Sequence, residues 1–346
     1  MTTTMTHLIT EPATTGLDMQ KMEAYFLVAD IGGTNARFAW VAAGDLSLHD
    51  IATYSVKDHD TFESAVESYL QDHNIQLLSG ACIAIAGPVA GGEARLTNGL
   101  WHIRREQFCE YFSCSREHFW LINDFVAQSM AVPFLSDQEL GMIEGGNADP
   151  EASVLVVGPG TGLGAGLLVK TAQGWHPCPG EGGHMDFAPA SEIDISVWRY
   201  LVEELGRVPC WEDVLSGYGL ELLYAAHTSI KTGAAQKLAA SEITDQALTD
   251  ASSLQYAVVQ HFLELLARYA GNLAAATGAK GGVYLAGGIV PRIKDLIDDK
   301  AFRQAFEQRG KMHGYMETIP VRVVLAQQPG LTGSAAYLQQ SLALNC

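Results

Sequence analysis

Short apolar runs alternate along this chain with longer stretches whose apolar positions recur every three or four residues. Strands are therefore expected to alternate with helices. Phe26-Leu-Val-Ala runs into Asp30, turns through Ile31-Gly32-Gly33-Thr34-Asn35 and leaves as Ala36-Arg-Phe-Ala-Trp-Val41. Two apolar runs joined by so short a glycine turn predict a β-hairpin whose tip is nearly bare of side chains. The arrangement recurs as Ser153-Val-Leu-Val-Val157, Gly158-Pro-Gly160-Thr161-Gly162-Leu-Gly164-Ala-Gly166 and Leu167-Leu-Val169. Buried strands are also expected over 81–86, 119–122, 282–286 and 321–325. Helical period is clear over 61–72, where Phe62, Ala65, Val66, Tyr69 and Leu70 share a face, and over 252–277. A further helix should begin near Pro291 and a last one should cover 333–342. The pattern as a whole is α/β.

The bare tips suggest a ligand. Exposed N–H groups with small polar side chains let the backbone approach a phosphate closely. Asp30, at the end of its strand, would face such a phosphate and hold its Mg²⁺ directly or through water. No window reads G-x-G-x-x-G or G-x-x-x-x-G-K-[ST], which disfavours a Rossmann dinucleotide site and a P-loop. Two halves remain, each opening with a glycine-tipped hairpin, and a cleft between them would hold a nucleoside triphosphate from two sides. A side chain at Gly33 or Gly162 should obstruct that phosphate and strain any φ > 0 conformation there.

Other residues carry chemistry of two readings each. Asn123-Asp124 follows a strand directly, where carboxylates of α/β sheets point into ligand clefts. Asp124 would accept the proton of a hydroxyl in phosphoryl transfer; the proton moves late, so its pKa need not be raised. Alternatively the pair caps a helix over 125–130. Pro179-Gly-Glu181-Gly-Gly-His184 sets a carboxylate and an imidazole in a glycine-rich loop, suited to sugar hydroxyls, as is Glu212. The same loop, with His176 and Cys178, has the donors of a zinc site. Leu285-Ala-Gly287-Gly288-Ile-Val-Pro291 ends a strand with two bare residues, either a flat seat for a base and ribose or a simple turn.

Together, Asp30-Ile-Gly-Gly-Thr-Asn35, Leu121-Ile-Asn-Asp124-Phe, Gly160-Thr-Gly-Leu-Gly164, Pro179-Gly-Glu-Gly-Gly-His184 and Leu285-Ala-Gly-Gly-Ile-Val-Pro291 resemble the bacterial-type ATP-dependent glucokinases, in that family's order and spacing. The resemblance runs from about Phe26 to about Leu338. It implies a two-domain actin-like ATPase (ribonuclease H-like) fold with the active site in the interdomain cleft. A flexible leader, 1–23, would precede a small α/β domain of 24–133 plus 331–346 and a large α/β domain of 134–330. The implied reaction is transfer of the γ-phosphoryl group of ATP to the 6-hydroxyl of D-glucose. The resemblance makes Asp124 the base and assigns glucose contacts to Asn98, Asn123, Asp124, Glu181, His184 and Glu212. It assigns ATP to Ala29, Asp30, Ile31, Gly32, Gly33, Thr34, Asn35, Gly160, Thr161, Gly162, Gly287 and Gly288, with Mg²⁺ at Asp30. Related kinases of the repressor/kinase (ROK) group carry a cysteine-rich zinc loop where this chain has Cys178 alone, which argues against zinc. Tyr218 stands where the family often has Pro, leaving the conformation of Ser216–Gly219 open.

Composition narrows the alternatives. A chain of 346 residues, 48% hydrophobic and 17% charged, is globular and long for one core. A formal charge of −18 disfavours nucleic acid and anionic membranes. Six scattered cysteines without a C-x-x-C pair fit free thiols in a reducing compartment, and the leader lacks the basic and apolar regions of a signal peptide. A cytoplasmic protein is expected, and the resemblance implies a homodimer. A kinase for another hexose or an N-acetylhexosamine remains open. So does a non-catalytic sugar sensor, though that would call for a basic helix-turn-helix the leader does not provide.

Overall fold

A computed structural model of the chain describes residues 24–96 and 101–345. The first hairpin is β1 (Tyr25–Ile31) and β2 (Asn35–Ala42), with Ile31 opposite Ala36 and the glycines left at the tip. β3 (His49–Ser55) pairs with β2, helix α1 (Phe62–Asp72) follows, and β4 (Gly80–Ile85) returns parallel to β1. α1 starts where its apolar period starts because Thr61 caps it, accepting the Ser64 N–H at 3.1 Å. A small meander of β5 (Val89–Ala90), β6 (Glu93–Arg95) and β7 (His102–Arg104) leads to α2 (Arg105–Tyr111). β8 (Phe119–Asn123) lies parallel to β4 and runs straight into α3 (Asp124–Ala131). The main sheet has the order β3-β2-β1-β4-β8, and every residue of β4 is buried, as suits a parallel strand covered on both faces.

The second half repeats this plan. β9 (Leu140–Ile143) precedes the hairpin β10 (Val154–Pro159) and β11 (Leu163–Thr171), which continues into β12 (Gly174–Gly180). A helical layer follows: α4 (Glu192–Leu205), α5 (Gly217–Thr232), α6 (Ala240–Thr249) and α7 (Leu254–Thr277). β13 (Gly282–Leu285), the short α8 (Val290–Ile293), α9 (Asp299–Glu307), the short α10 (His313–Met316) and β14 (Val321–Val324) complete it. The sheet order is β12-β11-β10-β13-β14-β9, with β10, β13 and β14 parallel. With β9 set aside, both sheets are three antiparallel strands followed by two parallel ones. That is the ribonuclease H-like sheet, and its duplication is the actin-like ATPase fold.

α11 (Pro329–Asn345) starts before the predicted 333–342 and ends the described chain. Leu331, Ala335 and Leu338 return to the first sheet and bury against Phe26, Val28, Cys82 and Ile122. The helix also crosses α3 so closely that a Cβ on Gly333 would run into the Ala127 carbonyl. Gln340 ties it to the second sheet: its Oε1 accepts the Trp175 N–H at 2.9 Å and its Nε2 donates to the Trp175 carbonyl at 2.8 Å. α3 and α11 thus stand between the two sheets, where Met130, Val132, Val156 and Leu168 form a joint core. The leader and Asn98, which lies in 97–100, fall outside the described residues.

Candidate active site

The first tip is shaped by its strands. The Gly32 N–H donates to the Asn35 carbonyl at 2.9 Å, and the Thr34 carbonyl accepts the Val56 N–H at 2.9 Å. Gly33, Thr34 and Asn35 are exposed, and a Cβ at Gly33 would meet nothing within 4 Å. The side chains of Ala29 and Ile31 are fully buried in the core, so those two residues offer a ligand only their backbone. Asp30 faces Arg37 directly across the hairpin, with an Arg37 nitrogen 3.4 Å from its carboxylate. Burial raises the Asp30 pKa, and Arg37 offsets only part of this.

Asn123 and Asp124 divide the two roles anticipated for them. Asn123 is the helix cap: its Oδ1 accepts the Phe125 N–H at 2.8 Å while its Nδ2 donates to the Gly87 carbonyl at 3.2 Å. Both ends of the amide are thereby fixed. Asp124, at the first position of α3, also takes the Phe125 N–H, at 2.9 Å, with the Asn123 side chain as a further hydrogen-bond partner. Burial, then the nearby negative charge of Asp30, push the Asp124 carboxyl up to about 6, against the lowering effect of backbone N–H groups. The role of base did not require a raised value; its main cause is desolvation in the cleft.

In the second half, the glycine run separates into two functions. A Cβ on Gly158 would lie 2.7 Å from the Phe125 ring, one on Gly164 would overlap that ring, and one on Gly166 would strike the Ser129 hydroxyl. These three glycines make β10 and β11 flat enough for α3 to lie on them. Only Gly160-Thr161-Gly162 forms the tip, closed by the Gly160 N–H to Gly162 carbonyl bond at 2.8 Å. Neither Gly33 nor Gly162 has positive φ, so a side chain there meets no left-handed backbone, whereas Gly287, at φ 78°, does have it. There a Cβ would run into the Pro159 carbonyl. Gly287-Gly288 therefore abuts the second tip, and Gly288 itself has open space above it.

Glu212 joins this tip to the glycine-rich loop. Its Oε2 accepts the Leu163 N–H at 2.8 Å, and a Cβ on Gly162 would come within 2.5 Å of the same oxygen. The loop with Glu181 and His184 folds into a tight turn, with the His184 N–H on the Glu181 carbonyl at 3.0 Å. It is held beside Glu212 by the Trp211 N–H to Met185 carbonyl bond at 2.9 Å and the Phe187 N–H to Pro209 carbonyl bond at 2.9 Å. Glu181 and His184 are exposed, and Glu181 shares with Asn123 the lining of a cavity of about 650 Å³ between the two sheets. Among the described residues, His176, Cys178, Glu181 and His184 do not converge as metal ligands; the group that does is Glu307, His313 and Glu317, in the α9–α10 region.

The glucokinase family model matches residues 27–341. The chain is 42% identical over 319 residues to the glucokinase of Marinobacter nauticus, covering 92% of this chain and 98% of that one. It is 40% identical over 321 residues to the glucokinase of Yersinia enterocolitica, covering 93% of this chain and 98% of that one. A crystal structure of glucokinase from an Antarctic psychrotroph superposes with a TM-score of 0.82 at 36% identity, over 91% of this chain and 98% of that one. The chain belongs to the glucokinase family. It is accordingly an ATP-dependent hexose kinase that phosphorylates glucose.

For a member of this family, the structure supplies three parts of the site that sequence left unassigned or open. Arg37 lies just beyond the first family motif, and its pairing with Asp30 follows from strand register. The start of α5 is the second: Ser216 caps it, the Gly217 N–H donates to the Gly160 carbonyl at 2.8 Å, and exposed Tyr218 occupies its first turn. The segment left open for want of the family's Pro is thus helical and bound to the second tip. Phe125, which seats α3 on the glycine strands, is the third.

The contact between Gly162 and Glu212 changes the expectation for a bulky residue there. Gly162→Val should raise the KM for glucose as well as that for ATP, because the new side chain displaces Glu212. Gly33→Val, in open space, should raise the KM for ATP alone. Steady-state kinetics with each substrate varied in turn will check this, and equal glucose KM values in wild type and Gly162→Val would refute the coupling.

Proposed function

We propose that Asp124 is the general base that accepts the proton of the glucose 6-hydroxyl as that oxygen attacks the γ-phosphorus of ATP, giving glucose 6-phosphate and ADP. The observation that carries this is a desolvated carboxylate at the start of α3, beside Asp30 and next to an Asn123 held at both ends of its amide. Phosphoryl transfer asks little else of the protein than positioning and charge stabilisation. The tips at Gly32-Gly33-Thr34-Asn35 and Gly160-Thr161-Gly162 would hold the phosphates through backbone N–H groups, helped by the backbone of Ala29 and Ile31. The start of α5 adds its dipole, and adenosine would lie on Gly287-Gly288. Glucose would be held by Asn98, Asn123, Asp124, Glu181, His184 and Glu212.

The donors present fit a magnesium ion. Asp30 and Asp124 repel each other in a partly dry site, and the Arg37 contact of 3.4 Å leaves that charge incompletely balanced. Mg²⁺, carried on ATP, would sit at Asp30 directly or through water and neutralise charge building on the phosphates. In this reading 24–133 plus 331–346 is the small domain and 134–330 the large one, swinging together to exclude water. α11, bolted to both sheets, would hold the pivot. A cytoplasmic homodimer completes the reading; among the described residues no helix is long and apolar enough to cross a membrane.

A coupled ADP-release assay across a panel of sugars tests the substrate: turnover with glucose should exceed that with mannose, fructose and N-acetylglucosamine. Glu181→Gln should weaken glucose binding roughly ten- to hundredfold, since it replaces a charged acceptor of sugar hydroxyls by a neutral one. Purified protein should carry no stoichiometric zinc. Bound zinc with unaltered glucose affinity in Glu181→Gln would assign the loop to metal instead.

A further inference from the structure

Tyr269 lies in the middle of α7, completely buried, and its hydroxyl finds no hydrogen-bond partner among the described residues. A buried donor without a partner opposes folding through its lost hydration, so a native chain that keeps one asks for a reason. The surroundings supply it. The ring packs against Trp211 with centroids 5.3 Å apart, next to Glu212 in sequence. A Cβ on Gly182 would lie 2.9 Å from the hydroxyl oxygen, so the hydroxyl presses from below on the turn that carries Glu181 and His184. The other close neighbours of that position are Ala165 and Leu273, at 3.2 and 3.8 Å, which are apolar. Burial, followed by the Cys210 and Glu212 side chains, keeps the phenol proton in place, so the group acts as a donor.

We propose that Tyr269 is a positioning residue for the sugar subsite: its hydroxyl donates to the main chain of the Glu181–His184 turn when bound sugar draws that turn inward. A hydroxyl without a partner in the present arrangement that gains one in the sugar-bound form favours the bound arrangement of Glu181, His184 and Glu212. The inference rests on the assignment of Glu181 and His184 to glucose.

Tyr269→Phe in the full chain keeps the ring and removes the hydroxyl. Its melting temperature without sugar should equal or exceed that of wild type, because an unpaired polar group has gone. The rise in melting temperature on adding glucose should shrink, and the KM for glucose should increase roughly three- to tenfold, with the KM for ATP unchanged. A lower sugar-free melting temperature with an undiminished glucose response would overturn the proposal, since the hydroxyl would then be paired in both states. An unchanged glucose KM overturns it equally. If Glu181→Gln leaves glucose affinity intact, the subsite assignment fails first and this inference falls with it.

Discussion

Asp124→Asn is expected to lower kcat by about two to four orders of magnitude while glucose affinity stays within a few fold. Asn has the shape of Asp and still hydrogen-bonds a hydroxyl, but it cannot take a proton. The fold should tolerate the change. Asn123, not Asp124, caps α3, and the Asp124 carboxylate is held against a desolvation penalty and the repulsion of Asp30. Thermal stability at neutral pH should therefore be retained, which separates lost chemistry from lost structure. The base form of a carboxyl pushed up to about 6 predominates above that pH, so kcat/KM for glucose should fall as pH drops through its acid limb. That limb should lie no higher than about pH 6, and Asp30→Asn should move it lower by removing the neighbouring negative charge. Turnover of Asp124→Asn within tenfold of wild type would take the base role away from this residue.

Asp194→Ala should destabilise the second half by roughly 3–5 kcal/mol, the effect of leaving a buried ion partner uncompensated. Asp194 is completely buried near the start of α4 and accepts the Ala190 and Ser191 N–H groups at 2.8 and 3.0 Å, His261 Nε2 at 2.8 Å, and the Arg268 guanidinium. Arg268 also reaches the Ala188 carbonyl at 2.9 Å, so the cluster anchors the strap leaving the Glu181–His184 turn. Burial alone would raise the Asp194 pKa; hydrogen bonds from His261, Ala190 and Arg268 outweigh it and hold the carboxyl well below its usual range. A depressed carboxyl contributes stability above its unfolded value, about 3.9, that is lost as pH falls below it. His227, 2.9 Å from His261, is pushed down to about 4 by burial and then by His261. Its contribution is present above about 6.5 and lost as pH falls from there toward 4. Urea unfolding midpoints should accordingly decline below about pH 6.5 in wild type, less steeply in His227→Gln. A midpoint for Asp194→Ala at pH 7 equal to that of wild type would show the cluster to be unimportant.

Much of the fold was legible from local pattern. Both glycine-tipped hairpins lie where the apolar runs break, α1 begins at the predicted face, and α7 covers nearly the whole predicted period. These features depend on neighbours within a few residues, through alternation, helical period and turn chemistry. The family resemblance was legible for the same reason, since each of its motifs is a short local segment.

The division of labour within those segments was not legible. Gly158, Gly164 and Gly166 look like Gly160 and Gly162 in sequence, yet they serve the packing of α3, because that helix arrives from another sheet. Glu212 and Gly162 are fifty positions apart and touch; Asp194 draws His261 and Arg268 from α7. The Asp124 pKa rises because the cleft dries it and brings Asp30 near, neither of which its flanking residues report. Local pattern was enough for the two hairpins, the buried strands β4, β8, β13 and β14, the helices α1 and α7, and the chemical types available at the tips. Packing between distant segments sets which glycine meets a side chain, which carboxyl is charged and which hydroxyl lies beneath the Glu181–His184 turn. Those outcomes depend on burial and on contacts between distant segments, and both exist only once the two sheets have closed on α3 and α11.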